Sequence, residues 1–136
     1  MAGAGLVLSG HSLPAIEPIV RKGQARMRLS VAAYSFRRHF RWMKGKAQNP
    51  AGRAIDMRQF IDLCADYGCE GTELTSYFFH GDADDTYYLG LKHYAFLRGI
   101  EISGTAVGNN FALPKGRARD EQVAAVKAWI DKAAVL

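Results

Sequence analysis

Three times between Leu29 and Leu136 a short apolar run gives way to a polar loop and then to a helix-period segment, and this alternation constrains the chain more than any other feature. The first run, LSVAAYSF, holds no Gly or Pro and has strand length, which predicts a strand buried on both faces. A segment in which basic and aromatic residues alternate, RRHFRWMKGKAQNPAGRA, follows as a loop, broken at Asn49-Pro50 and Gly52. Asp56 then predicts a helix N-cap, and Gln59 three residues on completes a capping-box pattern. Met57, Phe60, Ile61, Cys64 and Tyr67 form the expected apolar stripe, and Gly68 the left-handed stop. The second unit runs from EGTELTSYF, with Glu73, Thr75 and Tyr77 on one face, through the acidic turn HGDADD. Its helix carries Tyr87, Tyr88, Leu91, Tyr94, Ala95 and Arg98 and ends at Gly99. The third is IEISGTAV, the loop GNNFALPKGRAR, and a helix starting at Asp120-Glu121 with a stripe of Val123, Val126, Ile130 and Ala133. That helix runs to Leu136 with no capping residue. Strand-helix alternation of this kind predicts an α/β fold with a parallel sheet and right-handed crossovers.

In such sheets function gathers at the carboxyl ends of the strands. Those ends are Tyr34-Ser35-Phe36, Thr75-Ser76-Tyr77 and Val107-Gly108-Asn109-Asn110. Glu73 stands out, because a carboxylate within a parallel strand is costly to bury unpaired. It either faces a substrate or cation, or is paired with a Lys or Arg of a neighbouring strand. Asn109 and Asn110 offer donors and acceptors suited to sugar hydroxyls and are equally good turn residues. Tyr34 and Phe36 are either a ligand wall or core packing.

No Gly-rich turn follows the first strand, which removes dinucleotide and P-loop sites, and neither HExxH nor paired CxxC occurs. The four His residues, His11, His39, His80 and His93, share no ligand spacing. Cys64 and Cys69 are expected as buried thiols, since two cysteines cannot form a disulfide framework. With 49% hydrophobic residues the chain can build a core, and no apolar run reaches the roughly 18 residues that span a bilayer.

Charge is unevenly spread. From Pro18 to Ile55 there are ten Lys or Arg and no acid, with Glu17 the one acid before them, so the first 55 residues carry +9. The rest hold eight basic and twelve acidic side chains. This leaves anionic partners open. In RRHFRWMKGK the cations could neutralise phosphates while Phe40 and Trp42 stack on bases, or bind a phosphorylated or carboxylated small substrate. A third reading is a solvated loop anchored by the two rings. Residues 1–27 are read as a leader and basic linker: either the remnant of an export signal lacking its charged n-region, or a plain leader. The first would export the protein, and the second leaves it in the cytoplasm.

LSVAAYSF, IDMRQFIDLCADYGCEGTELTSYFF and GIEISGTAVGNNFA together resemble the opening of the sugar phosphate isomerase/epimerase family, one of the xylose isomerase-like TIM barrels. The strongest piece is the helix-Gly-strand phrase from Ile61 to Phe79, and the resemblance covers residues 28–136. It implies parallel (β/α) units of a TIM barrel, about the first three of eight, so a partial barrel and an N-terminal fragment inactive alone. It further implies a divalent metal (Mn, Mg, Co or Zn) in the full-length protein, where it stabilises the oxyanion formed as a carboxylate moves a proton next to a carbonyl. The family's metal ligands lie on later strands, so no metal ligand is carried over. Tyr34, Phe36, Glu73, Asn109 and Asn110 become substrate-side candidates for a sugar or sugar phosphate. No membrane partner is expected, and an oligomer is allowed. An abasic-site endonuclease on the same barrel ranks lower, because it needs His at the ends of the early strands. A non-catalytic basic binding module rests only on the charge run, and a nucleic-acid partner ranks below a sugar.

Overall fold

The computed structural model describes residues 27–49 and 54–136, together with Gly23. The leader reading of residues 1–27 therefore falls almost wholly outside the described residues, as does the predicted break at Pro50 and Gly52. Three strands, β1 (Ser30–Ala32), β4 (Gly71–Glu73) and β5 (Glu101–Gly104), form one sheet in the order β1-β4-β5, with both pairings parallel. Between β1 and β4 lies a hairpin of β2 (Trp42–Met43) and β3 (Lys46–Ala47). The helices are α1 (Met57–Asp66), α2 (Asp85–Leu97) and α3 (Arg117–Val135). The expected α/β class with a parallel sheet is present.

Helices α1 and α2 form where the sequence places their signals. Asp56 accepts the Gln59 backbone N–H at 2.9 Å while the Gln59 side chain accepts the Asp56 N–H at 2.9 Å, a complete capping box. Asp84 caps α2 by accepting the Tyr87 N–H at 2.8 Å. Gly68 and Gly99 end α1 and α2 at φ 71° and 69°, left-handed values that cost a Cβ-bearing residue energy. Replacing the α1 cap, Asp56→Ala, is expected to cost about 1 kcal/mol, read as a lower denaturation midpoint; an unchanged midpoint would show that the box contributes nothing.

The two crossovers advance in the same direction across the sheet, and right-handed crossovers of that kind place their helices on one face. There α1 packs against α2 and α2 against α3. Met57, Phe60, Ile61 and Cys64 of α1 and Tyr88, Leu91 and Ala95 of α2 fill the core with Leu74, Phe78, Phe79 and Ile100. At the α1–α2 seam, Arg98 pairs with Asp62 at 2.8 Å and Asp66 at 3.1 Å, and the Tyr94 hydroxyl donates to Asp62 at 2.7 Å.

Four expectations are corrected. The strand in LSVAAYSF is three residues long, because Ala33–Phe36 turn into a 3-10 helix, and Ser30 is exposed on an uncovered face instead of being buried on both sides. Strand β4 also ends early, at Glu73, before a 3-10 turn at Ser76–Phe78. Parallel pairing nevertheless continues past it, with Leu74 N–H bonding Gly104 O at 3.0 Å and Ser76 N–H bonding Ala106 O at 2.8 Å. Tyr67 caps α1 in solvent, 72% exposed, and is not part of the buried stripe. Helix α3 starts at Arg117 and buries no residue completely; Ile130 of its expected stripe is 59% exposed, and the contacts to the core come from Trp129, Val135 and Leu136.

The largest departure is the basic segment, read as a loop. Phe40 is fully buried and stacks on Phe78 with centroids 4.3 Å apart and planes 9° from parallel. Backbone bonds from Arg41 N–H to Ile55 O (2.9 Å) and Ile55 N–H to His39 O (2.8 Å) hold the segment against the start of α1. The hairpin then reverses through Lys44 (φ 50°) and Gly45 (φ 75°), both left-handed as a two-residue type I′ turn requires.

Candidate functional site

The helix-free face of the sheet is polar. Ser30 and Ser103 share a hydrogen bond of 2.6 Å across β4, and the Ser103 hydroxyl also reaches Thr72 O at 3.2 Å. Thr72 itself is buried toward the helices, where its hydroxyl donates to Val31 O at 3.2 Å and accepts from the Cys64 thiol at 3.7 Å. Burial pushes the Cys64 thiol above its ordinary pKa, and Cys64 and Cys69 are both free and buried, as expected of structural cysteines.

Period-2 alternation carries Glu73 and Thr75 to the polar face together. Glu73 closes β4, in register with Ala32 on one side and Gly104 on the other. It is half-buried, and its Oε1 accepts the Thr75 hydroxyl at 3.1 Å. Among the described residues no Lys or Arg pairs with it: the ion pairs there belong to Arg28, Arg98 and Arg117. The salt-bridged alternative for Glu73 therefore has no described partner. One hydroxyl leaves the remaining acceptor capacity of the carboxylate open to a ligand.

Tyr34 lies at the same end of the sheet, 49% exposed, in the turn that follows β1. Its ring meets Tyr77 edge-on at 6.4 Å and carries the Arg37 guanidinium 5.4 Å above it. Phe36 goes elsewhere, packing on Phe60 at 5.6 Å toward the helical core, so the core-packing alternative holds for it. Asn109 and Asn110 lie in the exposed loop after β5. The Asn110 side chain accepts the Ala112 N–H at 3.2 Å and the Asn110 backbone N–H donates to Gln122 Oε1 at 3.0 Å, which is a turn residue's work. The structure thus brings Tyr34 and Glu73 to one end of the sheet and withdraws Phe36.

Three residues outside the expected set join them. The Tyr77 hydroxyl lies directly against Gly108, close enough that a Cβ there has no room. Lys44, at the hairpin tip, donates its backbone N–H to Tyr77 O at 2.6 Å and holds its ammonium 4.8 Å from the Tyr77 ring centre. The available signal for Lys44 was the two-residue spacing of Lys44-Gly45 between Trp42-Met43 and Lys46-Ala47. Nearby, His80 contacts Tyr87 with centroids 4.4 Å apart, but burial, reinforced by Asp56, pushes the Tyr87 phenol up to about 12, so it stays protonated at neutral pH.

No group of three or more His, Cys, Asp or Glu side chains among the described residues could hold a metal ion, and Glu73 offers one carboxylate only. The divalent metal that the family resemblance implies therefore has no assigned ligand among the described residues. A cleft of about 890 Å³ opens at the opposite end of the sheet, near Ile100, Ile102, Phe96 and Leu136. Its charged groups are already engaged, Arg28 with Glu70 (3.3 Å) and Glu101 (2.6 Å), and Lys92 with Val135 O (3.2 Å). It also lies at the amino ends of the strands, away from where parallel sheets place their chemistry. No helix among the described residues is long and apolar enough to cross a membrane. No family model, curated protein or solved structure matches this chain.

Proposed function

We propose that the chain supplies opening (β/α) units of a xylose isomerase-like barrel that acts on a sugar or sugar phosphate as an isomerase or epimerase. The observation that carries this reading is the sheet: three parallel strands in sequential order, helices on one face, and on the other a line of hydroxyls with Glu73 at its carboxyl end. Sequential parallel strands with their crossover helices on one face are the arrangement of a barrel segment, whose inner face meets the substrate at the carboxyl ends of the strands.

In this reading Glu73, steadied by Thr75, accepts hydrogen bonds from sugar hydroxyls, while Tyr34 and Tyr77 offer ring faces to the apolar side of the sugar. Asn109, on the neighbouring loop, is within the same end of the sheet. The divalent metal that the resemblance implies would supply polarisation of the carbonyl oxygen. No described residue is assigned to hold that metal or to move the proton.

Binding tests the reading without requiring turnover. Saturation-transfer NMR against aldoses, ketoses and their phosphates is expected to show a bound sugar. Glu73→Gln is expected to weaken that binding about tenfold or more, because bonds to a charged acceptor contribute roughly 1.5–3 kcal/mol. A folded chain that binds no sugar, or binds one equally well as Glu73→Gln, removes the assignment.

A further inference from the structure

We propose that the segment from Tyr34 to Lys46, completed by Tyr77, is a binding surface for single-stranded nucleic acid, a function that does not rest on the isomerase reading although both use the Tyr34 and Tyr77 rings. Three cation–ring pairs define it. Arg37 lies 5.4 Å from the Tyr34 ring centre, Arg41 lies 5.4 Å from that of Trp42, and Lys44 lies 4.8 Å from that of Tyr77. All three cations are exposed, and none forms an ion pair among the described residues. A surface cation ordinarily finds a carboxylate where one is near, and this segment contains none.

The spacing is fixed before any ligand arrives. Phe40 anchors the segment in the core, the type I′ turn sets the hairpin, and the Lys44 N–H bond to Tyr77 O joins its tip to the turn after β4. A preset array loses little conformational freedom on binding. Its layout also selects the ligand. Each cation is paired with an aromatic ring, and a lone phosphate would use the cations but not the rings. A single strand presents phosphates in series together with base faces that stack on aromatic rings and on guanidinium groups. A duplex keeps its bases stacked on one another, out of reach of Tyr34 and Trp42. Of the readings open for Phe40, burial favours the ring as an anchor over a ring stacked on bases, and Tyr34 offers an exposed ring in its stead.

Fluorescence anisotropy of a labelled oligodeoxythymidine against the whole chain tests this. Binding is expected at about 50 mM salt, with log affinity falling against log salt at a slope near −2, about −0.7 for each of three neutralised phosphates. Arg37→Gln, Arg41→Gln and Lys44→Gln should each lower that slope by about 0.7. Tyr34→Leu and Trp42→Leu should weaken binding about tenfold with the slope unchanged, whereas Tyr34→Phe, which keeps the ring, should bind as the parent does. Circular dichroism checks that each variant is folded. Three results overturn the proposal: no binding at low salt, equal affinity for a duplex of the same length, or affinity that ignores both ring substitutions and follows charge alone.

Discussion

Phe40→Ala is expected to lower the unfolding free energy by about 3–5 kcal/mol, the usual cost of deleting a fully buried aromatic ring. Against a total of about 5–15 kcal/mol for a domain, that leaves the chain marginal or unfolded. The magnitude follows from position. Phe40 is stacked on Phe78 at 4.3 Å and meets Phe60 edge-on at 5.5 Å, so its removal opens a cavity between the hairpin, α1 and the turn after β4. Its carbonyl also accepts the side-chain amides of Gln48 and Asn49 at 3.1 Å each, bonds that hold the far arm of the hairpin. Tyr67→Ala is the matched comparison. Tyr67 is 72% exposed, and its loss should change stability by no more than about 0.5 kcal/mol. Urea denaturation of the two variants decides the matter: equal costs would mean that Phe40 lies at the surface.

That pair also shows which parts of the fold are legible in the sequence. Periodicity groups Tyr67 with the buried stripe of α1, because seven residues after Phe60 is a core position in a continuing helix. The capping box and Gly68 delimit the same helix well, since caps are local chemistry between residues three or four apart. Tyr67 fails the pattern because it is the C-cap, where the backbone already leaves the helical path. The hairpin is harder to read. Its strands are two residues each, too short for alternation to register, and its turn is Lys-Gly in place of the Asn-Gly or Asp-Gly that mark a type I′ turn most strongly. The basic residues that make Phe40 look solvated are the exposed neighbours of a ring that points inward.

The site divides along the same line. Glu73 and Tyr34 are placed at the strand ends by topology, and topology follows from the order of apolar runs and helices. Phe36 and Tyr34 sit two residues apart and would share a face in an extended strand, but the 3-10 turn at Ala33–Phe36 separates them, one to solvent and one to the core. Lys44 and Gly108 enter through contacts between segments more than thirty residues apart in the chain, which no local pattern encodes.

Gly108→Ala is expected to destabilise the chain by about 1–3 kcal/mol through overpacking, although Gly108 is exposed and a substitution there would ordinarily be neutral. A Cβ at this position overlaps the Tyr77 hydroxyl and comes within 2.7 Å of Cζ and 3.1 Å of Cε1. The ring has few directions in which to retreat. Phe78 abuts it edge-on at 6.4 Å, Tyr34 at 6.4 Å, and the Lys44 ammonium stands 4.8 Å from its centre. Shortening the partner should therefore relieve the clash. In a double-mutant cycle Tyr77→Leu is expected to recover most of the cost of Gly108→Ala, with a coupling of about 1 kcal/mol or more, while Tyr77→Phe recovers less because Cζ remains too close. Additive single-mutant costs would mean that the two residues do not touch. If they do touch, Gly108→Ala moves Tyr77 without altering any charge, so it should weaken oligonucleotide binding at constant salt slope, the same signature expected of Tyr34→Leu.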